Sequence, residues 1–196
     1  MSAIKYEDLP VYARRVPPSF LCLYRDERVQ LYKGNNIHDL LNVKEQLYME
    51  SLNDFEKEYD NWKIDSVNII DTKALSGAKS YKVPEKGFSC SYCLSMKHLY
   101  NDSVFNVSVN AKVFAAAEAN AEANLVIVVE ENGKALYWQA VPISNFNNGD
   151  DKWKLFEINR NLPRNLSKTA QIKIYVWNTG NKPVFIDDFR VALIGD

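Results

Sequence analysis

Histidine is scarce in this chain: His38 and His98 are the two among 196 residues. A His-based catalytic triad, or a metal centre of several imidazoles, needs partners that the sequence does not place. Glycine is scarce too, at seven, and no phosphate-cradling Gly-rich loop occurs. No apolar run is long enough to span a bilayer, which argues against direct membrane insertion. An excess of either charge is missing as well, with 24 Lys and Arg against 25 Asp and Glu. The formal net charge is -1, so bulk electrostatics favours neither nucleic acid nor an anionic membrane surface. Three cysteines, Cys22, Cys90 and Cys93, leave one thiol over from any disulfide. The opening Met1-Ser2-Ala3-Ile4-Lys5-Tyr6-Glu7-Asp8 lacks an apolar stretch of signal-peptide type. Read literally, that points to the cytoplasm. It equally fits a trimmed natural start, or the tail of a longer chain.

What is present suits one full domain plus an extension. Apolar residues make up 46% and charged residues 25%, enough for a core under an ordinary soluble surface. Residues 1–50 hold Pro10, Pro17, Pro18 and dense charge, without a long regular pattern. They read as an N-terminal extension or linker, or the tail of a preceding region. Phe20–Tyr24 and Val29–Tyr32 are expected as two short strands. Ile37, Leu40, Leu41, Leu47 and Tyr48 fall near helical spacing and predict a short helix over 37–49.

From residue 51 onward the chain reads as one β domain, and from about residue 64 its period is two. Phe88, Cys90, Tyr92, Leu94 and Met96 alternate with Ser89, Ser91, Cys93, Ser95 and Lys97, a half-buried strand with one polar face. Phe105, Val107, Val109, Ala111 and Val113 repeat the pattern. Leu125–Val129 ends at Asn132-Gly133, a hairpin signal, and Lys134–Val141 returns. Trp153–Ile158, then Ile172, Ile174 and Val176, and a closing strand follow. Ala115–Asn124 is rich in Ala and Glu, which form helices, yet it alternates; two strand ends and a turn are expected there, with a helical turn as the other reading. Many strands, short polar turns and little helix predict an all-β antiparallel sandwich or barrel.

The closing strand slips phase. Val184 and Ile186 have even parity, whereas Phe189, Val191 and Leu193 have odd parity, and both sets belong to the core. One residue must be absorbed at Asp187-Asp188, the work of a β-bulge. Cys90 and Cys93 have metal-like spacing, but three apart on a strand they point to opposite faces and share neither a disulfide nor a metal. Glu130-Glu131 and Asp150-Asp151 flank turns and read as solvated loop acids rather than glycosidase carboxylates, which must face each other across a cleft.

Asn53-Asp54-Phe55-Glu56, Trp62 and Ala74–Val83 resemble the opening of many bacterial carbohydrate-binding modules with the galactose-binding-like fold. The close is similar too: Trp153–Phe156, Leu162-Pro163, Ile172–Asn178 and Val184–Phe189. The resemblance covers about residues 53–195. It implies a galactose-binding-like jelly-roll β-sandwich, no enzymatic activity, and a binding or accessory module of a bacterial surface or periplasmic protein. A glycan is the implied ligand class, and a neighbouring domain of a larger chain a further partner. It also implies a structural calcium with Glu56 and Asp187 as ligands and backbone carbonyls near Ser76–Lys79 completing the shell; the other reading makes both ordinary strand-end acids. In such modules sugars stack on aromatic rings. Parity places Tyr175 and Trp177 off the core face. Tyr137 and Gln139 oppose Leu136, Trp138 and Ala140, and the four are expected to share a ligand platform. Trp62 and Trp153 read as structural. The alternative function is a structural or protein-interaction domain of a larger membrane or secreted protein, its outward rings covered by another segment.

Overall fold

The structure, a computed structural model, describes residues 20–25, 28–33, 46–98, 104–115, 122–146, 151–163 and 166–195. The chain divides at Glu45/Gln46 into two units. In the first, β1 (Phe20–Arg25) and β2 (Arg28–Lys33) form the expected antiparallel hairpin, with Phe20 opposite Lys33 and Arg25 opposite Arg28.

The helix expected over 37–49 is corrected at its far end, where Gln46–Asn53 is strand β3; residues 34–45 lie outside the described residues. Here sheet pairing overrides the helical spacing of Leu47 and Tyr48. β3 lies along the final strand, with Leu47 opposite Ile194 and Asn53 opposite Phe189. That ladder gives its backbone groups partners that local spacing cannot announce.

The second unit continues with β4 (Trp62–Lys63), β5 (Ile69–Ile70), β6 (Ser80–Val83), β7 (Phe88–Ser95) and β8 (Val104–Ala115). Then come β9 (Ala123–Glu131), β10 (Lys134–Pro142), β11 (Trp153–Asn161), β12 (Gln171–Asn178) and β13 (Val184–Gly195). One sheet runs β10-β9-β12-β7-β4, the other β11-β8-β13-β6-β5, with β3 also paired to β13. All the pairings are antiparallel. This is a jelly-roll β-sandwich. Its core lies between the sheets, where Tyr92, Ile127, Ile172 and Ile174 of one meet Val109, Phe156, Ile186 and Phe189 of the other, all of them buried. Among the described residues no helix is long and apolar enough to cross a membrane.

The turn chemistry follows the sequence. Asn132 and Gly133 have φ of 49° and 75°, the left-handed pair that a tight hairpin needs. β8 ends at Ala115 and β9 begins at Ala123, which agrees with two strand ends; residues 116–121 between them lie outside the described residues. The phase slip is there too. Between Asp187 and Arg190 the register against β8 shifts, and Asp188 takes φ of 48°. Both parity sets are thereby buried: Val184, Ile186, Phe189, Val191 and Leu193 are at most 1% exposed.

Candidate functional site

The outer face of the five-stranded sheet is assembled from register. On it, Trp138 stands beside Val128, which stands beside Lys173 and then Cys93. The next row is Ala140, Val126, Tyr175 and Ser91, and the last is Pro142, Asn124, Trp177 and Phe88. Trp138 lies two strands and four residues from Trp177, roughly 16 Å at ordinary strand spacing. Phe88, Trp138 and Trp177 are 57%, 54% and 36% exposed. Tyr175 is half-buried, and burial raises its phenol above the ordinary value, with the nearby Lys173 charge opposing the rise and that of Glu130 adding to it.

Phe88 reaches this face through an irregularity. Parity would send it inward with Cys90 and Tyr92. Instead the β12–β7 register shifts between Tyr175 and Trp177, and the Ser89 hydroxyl accepts the Val176 N–H at 2.8 Å. The Phe88 ring then stacks on Trp177, centroids 6.2 Å apart and planes 17° apart, and meets Tyr175 edge-on at 5.8 Å. The extra residue is on β7 itself, where three steps from Phe88 to Ser91 face two from Trp177 to Tyr175, and the alternation of Phe88 with Cys90 and Tyr92 hides it; Gly87 just before the strand was the one local sign.

The four residues expected to share a platform are divided. Tyr175 and Trp177 are on the outer face. Tyr137 and Gln139 are on the inner side of edge strand β10, opposite Val129 and Ile127 of the core. Tyr137 packs against the core, and its hydroxyl donates to Gln139 Oε1. The correction has a simple cause. Val141 is buried and shares parity with Tyr137 and Gln139, so the opposite set, Trp138 with it, faces out. Val141 was the available signal for the phase of this strand.

A second aromatic cluster, Phe114, Trp153 and Phe185, lies on the other sheet. Lys73 Nζ sits 3.6 Å from the Phe114 ring centroid and 5.1 Å from that of Phe185, so the chain's own cation covers these rings. Trp62 is structural as expected: it is buried against Tyr92 and Phe189, its indole N–H donating to Ser51 Oγ at 2.8 Å. Trp153 is half-buried against Phe114, as expected.

Glu56 and Asp187 both grip one loop. Glu56 Oε1 accepts the N–H groups of Ala78 and Lys79 at 2.6 and 2.7 Å. Asp187, fully buried, accepts Leu75 and Ser76 N–H on Oδ2 at 2.8 and 3.0 Å, and Asp188 N–H on Oδ1 at 2.8 Å. Gly77 is what lets the loop come so close: at φ of +56°, a Cβ there would meet Glu56 Oε1 at 2.3 Å. The expected calcium shell needed the loop's carbonyls beside these carboxylates. The loop presents amide donors instead, an arrangement that does not fit a cation. Among the described residues no three His, Cys, Asp or Glu are grouped to hold a metal. Cys90 is buried, which pushes its thiol up, and Cys93 is half-buried on the opposite face; both are free.

No protein-family model matches the chain, and no curated protein does. Solved structures similar to it include the CBM22-2 xylan-binding domain of Paenibacillus barcinonensis Xyn10C. The identity is 13%, 74% of this chain and 99% of that one are covered, and the TM-score is 0.49. The CBM22-1 xylan-binding domain of the same protein is 17% identical, with 76% and 95% covered and a TM-score of 0.46. TmCBM61, solved with β-1,4-galactotriose, is 17% identical, with 68% and 89% covered and a TM-score of 0.39. By its own strand order and register, the chain's second unit is an antiparallel jelly-roll β-sandwich.

Proposed function

We propose that the second unit is a non-catalytic binding module whose ligand is a carbohydrate chain laid across the outer face of the five-stranded sheet. The observation that carries this reading is the row of large rings left open on one face: Phe88, Trp138 and Trp177, with Tyr175 between them. A contiguous exposed apolar patch marks a surface meant to be covered. A sugar covers it well, because its C–H face lies on the electron-rich ring while its hydroxyls seek donors and acceptors. Ser91, Asn124, Gln171, Lys173 and Glu130 supply those on the same face. The roughly 16 Å between Trp138 and Trp177 suits an extended chain rather than a single sugar. Glu130 is the one carboxylate among the described strand residues of this face, so the facing pair that glycoside hydrolysis requires is missing there. On this reading the module works in the periplasm or outside the cell, where polysaccharide is met, beside other domains of a larger bacterial surface protein.

The test is a glycan array followed by titration of xylohexaose and β-1,4-galactotriose into the native protein, Trp138→Ala and Trp177→Ala. Binding is expected, weakened roughly tenfold by each truncation as stacking area is lost, with melting temperatures near the native value. No glycan binding, together with a clear loss of stability in Trp177→Ala, would instead make the rings a packing surface for a protein neighbour.

A further inference from the structure

The strongest charged feature on the open face is the ion pair of Lys173 Nζ with Glu130 Oε1. Lys173 stands in Trp138's own row and Glu130 one row beyond it, beside Gln171, so the pair lies at the Trp138 end of the aromatic row. Lys173 stands beside Val128, whose other neighbour is Trp138, and two residues before Tyr175. Both side chains are under a third exposed, at 29% and 28%, so the pair is sheltered from full solvent screening. The other charged side chain among the described strand residues of this face is Lys63, on β4 at the sheet's far edge.

We infer that the Glu130–Lys173 pair sets ligand class: it makes the face accept neutral glycans and refuse acidic ones. The inference rests on the carbohydrate reading above and deepens it. A hydroxyl arriving beside Lys173, at the Trp138 end of the aromatic row, finds an acceptor in Glu130 and a donor in Lys173, and needs no charge of its own. A uronate or sulfate arriving there meets the Glu130 carboxylate at short range, and the cation that would receive it is already neutralised. Selectivity is a difference of two affinities, and a like charge placed against the wrong ligand is an effective way to make it. Glu130 is therefore a specificity residue and Lys173 its counter-charge. Removing Glu130 leaves Lys173 without its counter-charge on the ligand-facing side.

The experiment titrates three neutral probes (xylohexaose, cellohexaose and β-1,4-galactotriose) and one acidic probe, an oligogalacturonate, into the native protein. The same four are titrated into Glu130→Gln, Lys173→Gln and Asp71→Asn. Asp71 is exposed and follows β5 in the other sheet, so Asp71→Asn controls for a bare change in net charge. The expected result is that the native protein binds a neutral probe and refuses the acidic one. Glu130→Gln gains oligogalacturonate affinity by roughly tenfold, the scale of one close charge contact. That gain collapses in about 1 M salt, where the Debye length is about 3 Å. Lys173→Gln and Asp71→Asn should show no such gain. Native binding of a neutral probe with no gain in Glu130→Gln, or an equal gain in Asp71→Asn, overturns the specificity role and leaves the carbohydrate reading standing. Native preference for the acidic probe overturns the specificity role as well. Native protein that binds none of the four overturns both.

Discussion

Tyr92 points into the core from β7 of the five-stranded sheet with no solvent exposure. Its hydroxyl donates to Met49 Sδ at 3.1 Å, and its ring meets Trp62 edge-on at 5.3 Å. Burial alone pushes the phenol up to about 12, from an ordinary value of 10.0. A folded value above the unfolded one means that the folded state holds the proton more tightly. The corresponding stability is complete below about pH 10 and is lost as pH rises toward 12. Two units correspond to up to about 3 kcal/mol. Denaturant unfolding at pH 8 and pH 11 should therefore show a steeper alkaline loss in the native protein than in Tyr92→Phe. Equal slopes would place the phenol in contact with water. Single residues were otherwise legible where strand parity governed them. The opposed faces of Cys90 and Cys93 followed from alternation alone. Phe88 did not, because its outward turn depends on Ser89 accepting an amide from a strand far away in sequence.

At the scale of elements, the bulge in β13 lets both halves of one strand serve one core. Asp188 carries it in the left-handed region, with its Oδ1 accepting the Ser76 hydroxyl at 2.7 Å. A β-branched residue is strained there and glycine is not. Asp188→Gly should cost roughly 1 kcal/mol, one hydrogen bond's worth. Asp188→Val should cost about 1–2 kcal/mol more than that. Equal stabilities of the two variants by urea unfolding would mean that the bulge relaxes elsewhere. This element could be read from sequence because burying two parity sets on one strand allows no other solution. The phase of β10 could be read as well, but only through Val141. β4 and β5 could not be, since two residues show no period. Nor could β3, whose partner β13 lies at the other end of the chain.

At the scale of the molecule, Glu56, three residues past β3, and Asp187, in β13, tie the Leu75–Lys79 loop to the paired first and last strands of the second unit. They do so by accepting its backbone amides. Melting should be the same in calcium and in chelator. A rise of several degrees with calcium would show that a ligand of the folded state exists after all, and that the loop can turn its carbonyls inward. The sandwich as a whole was legible, because alternation and turn residues recur along most of the second unit. Calcium at this loop was not legible in either direction, because residue types and spacing at 56 and 187 do not report whether the facing loop offers oxygen or nitrogen.

One consequence concerns how copies of this protein treat one another. β10 is the last strand of its sheet, so among the described residues one row of its backbone groups has no strand beside it, and Leu136 and Trp138 stand on it at 46% and 54% exposure. A straight, greasy border of that kind invites a second chain to zip alongside and starts fibrils. The register break between Ala135 and Tyr137 interrupts the border within two residues of Trp138. The protein can thus hold an indole out to water at its rim without offering a continuous template for polymerisation.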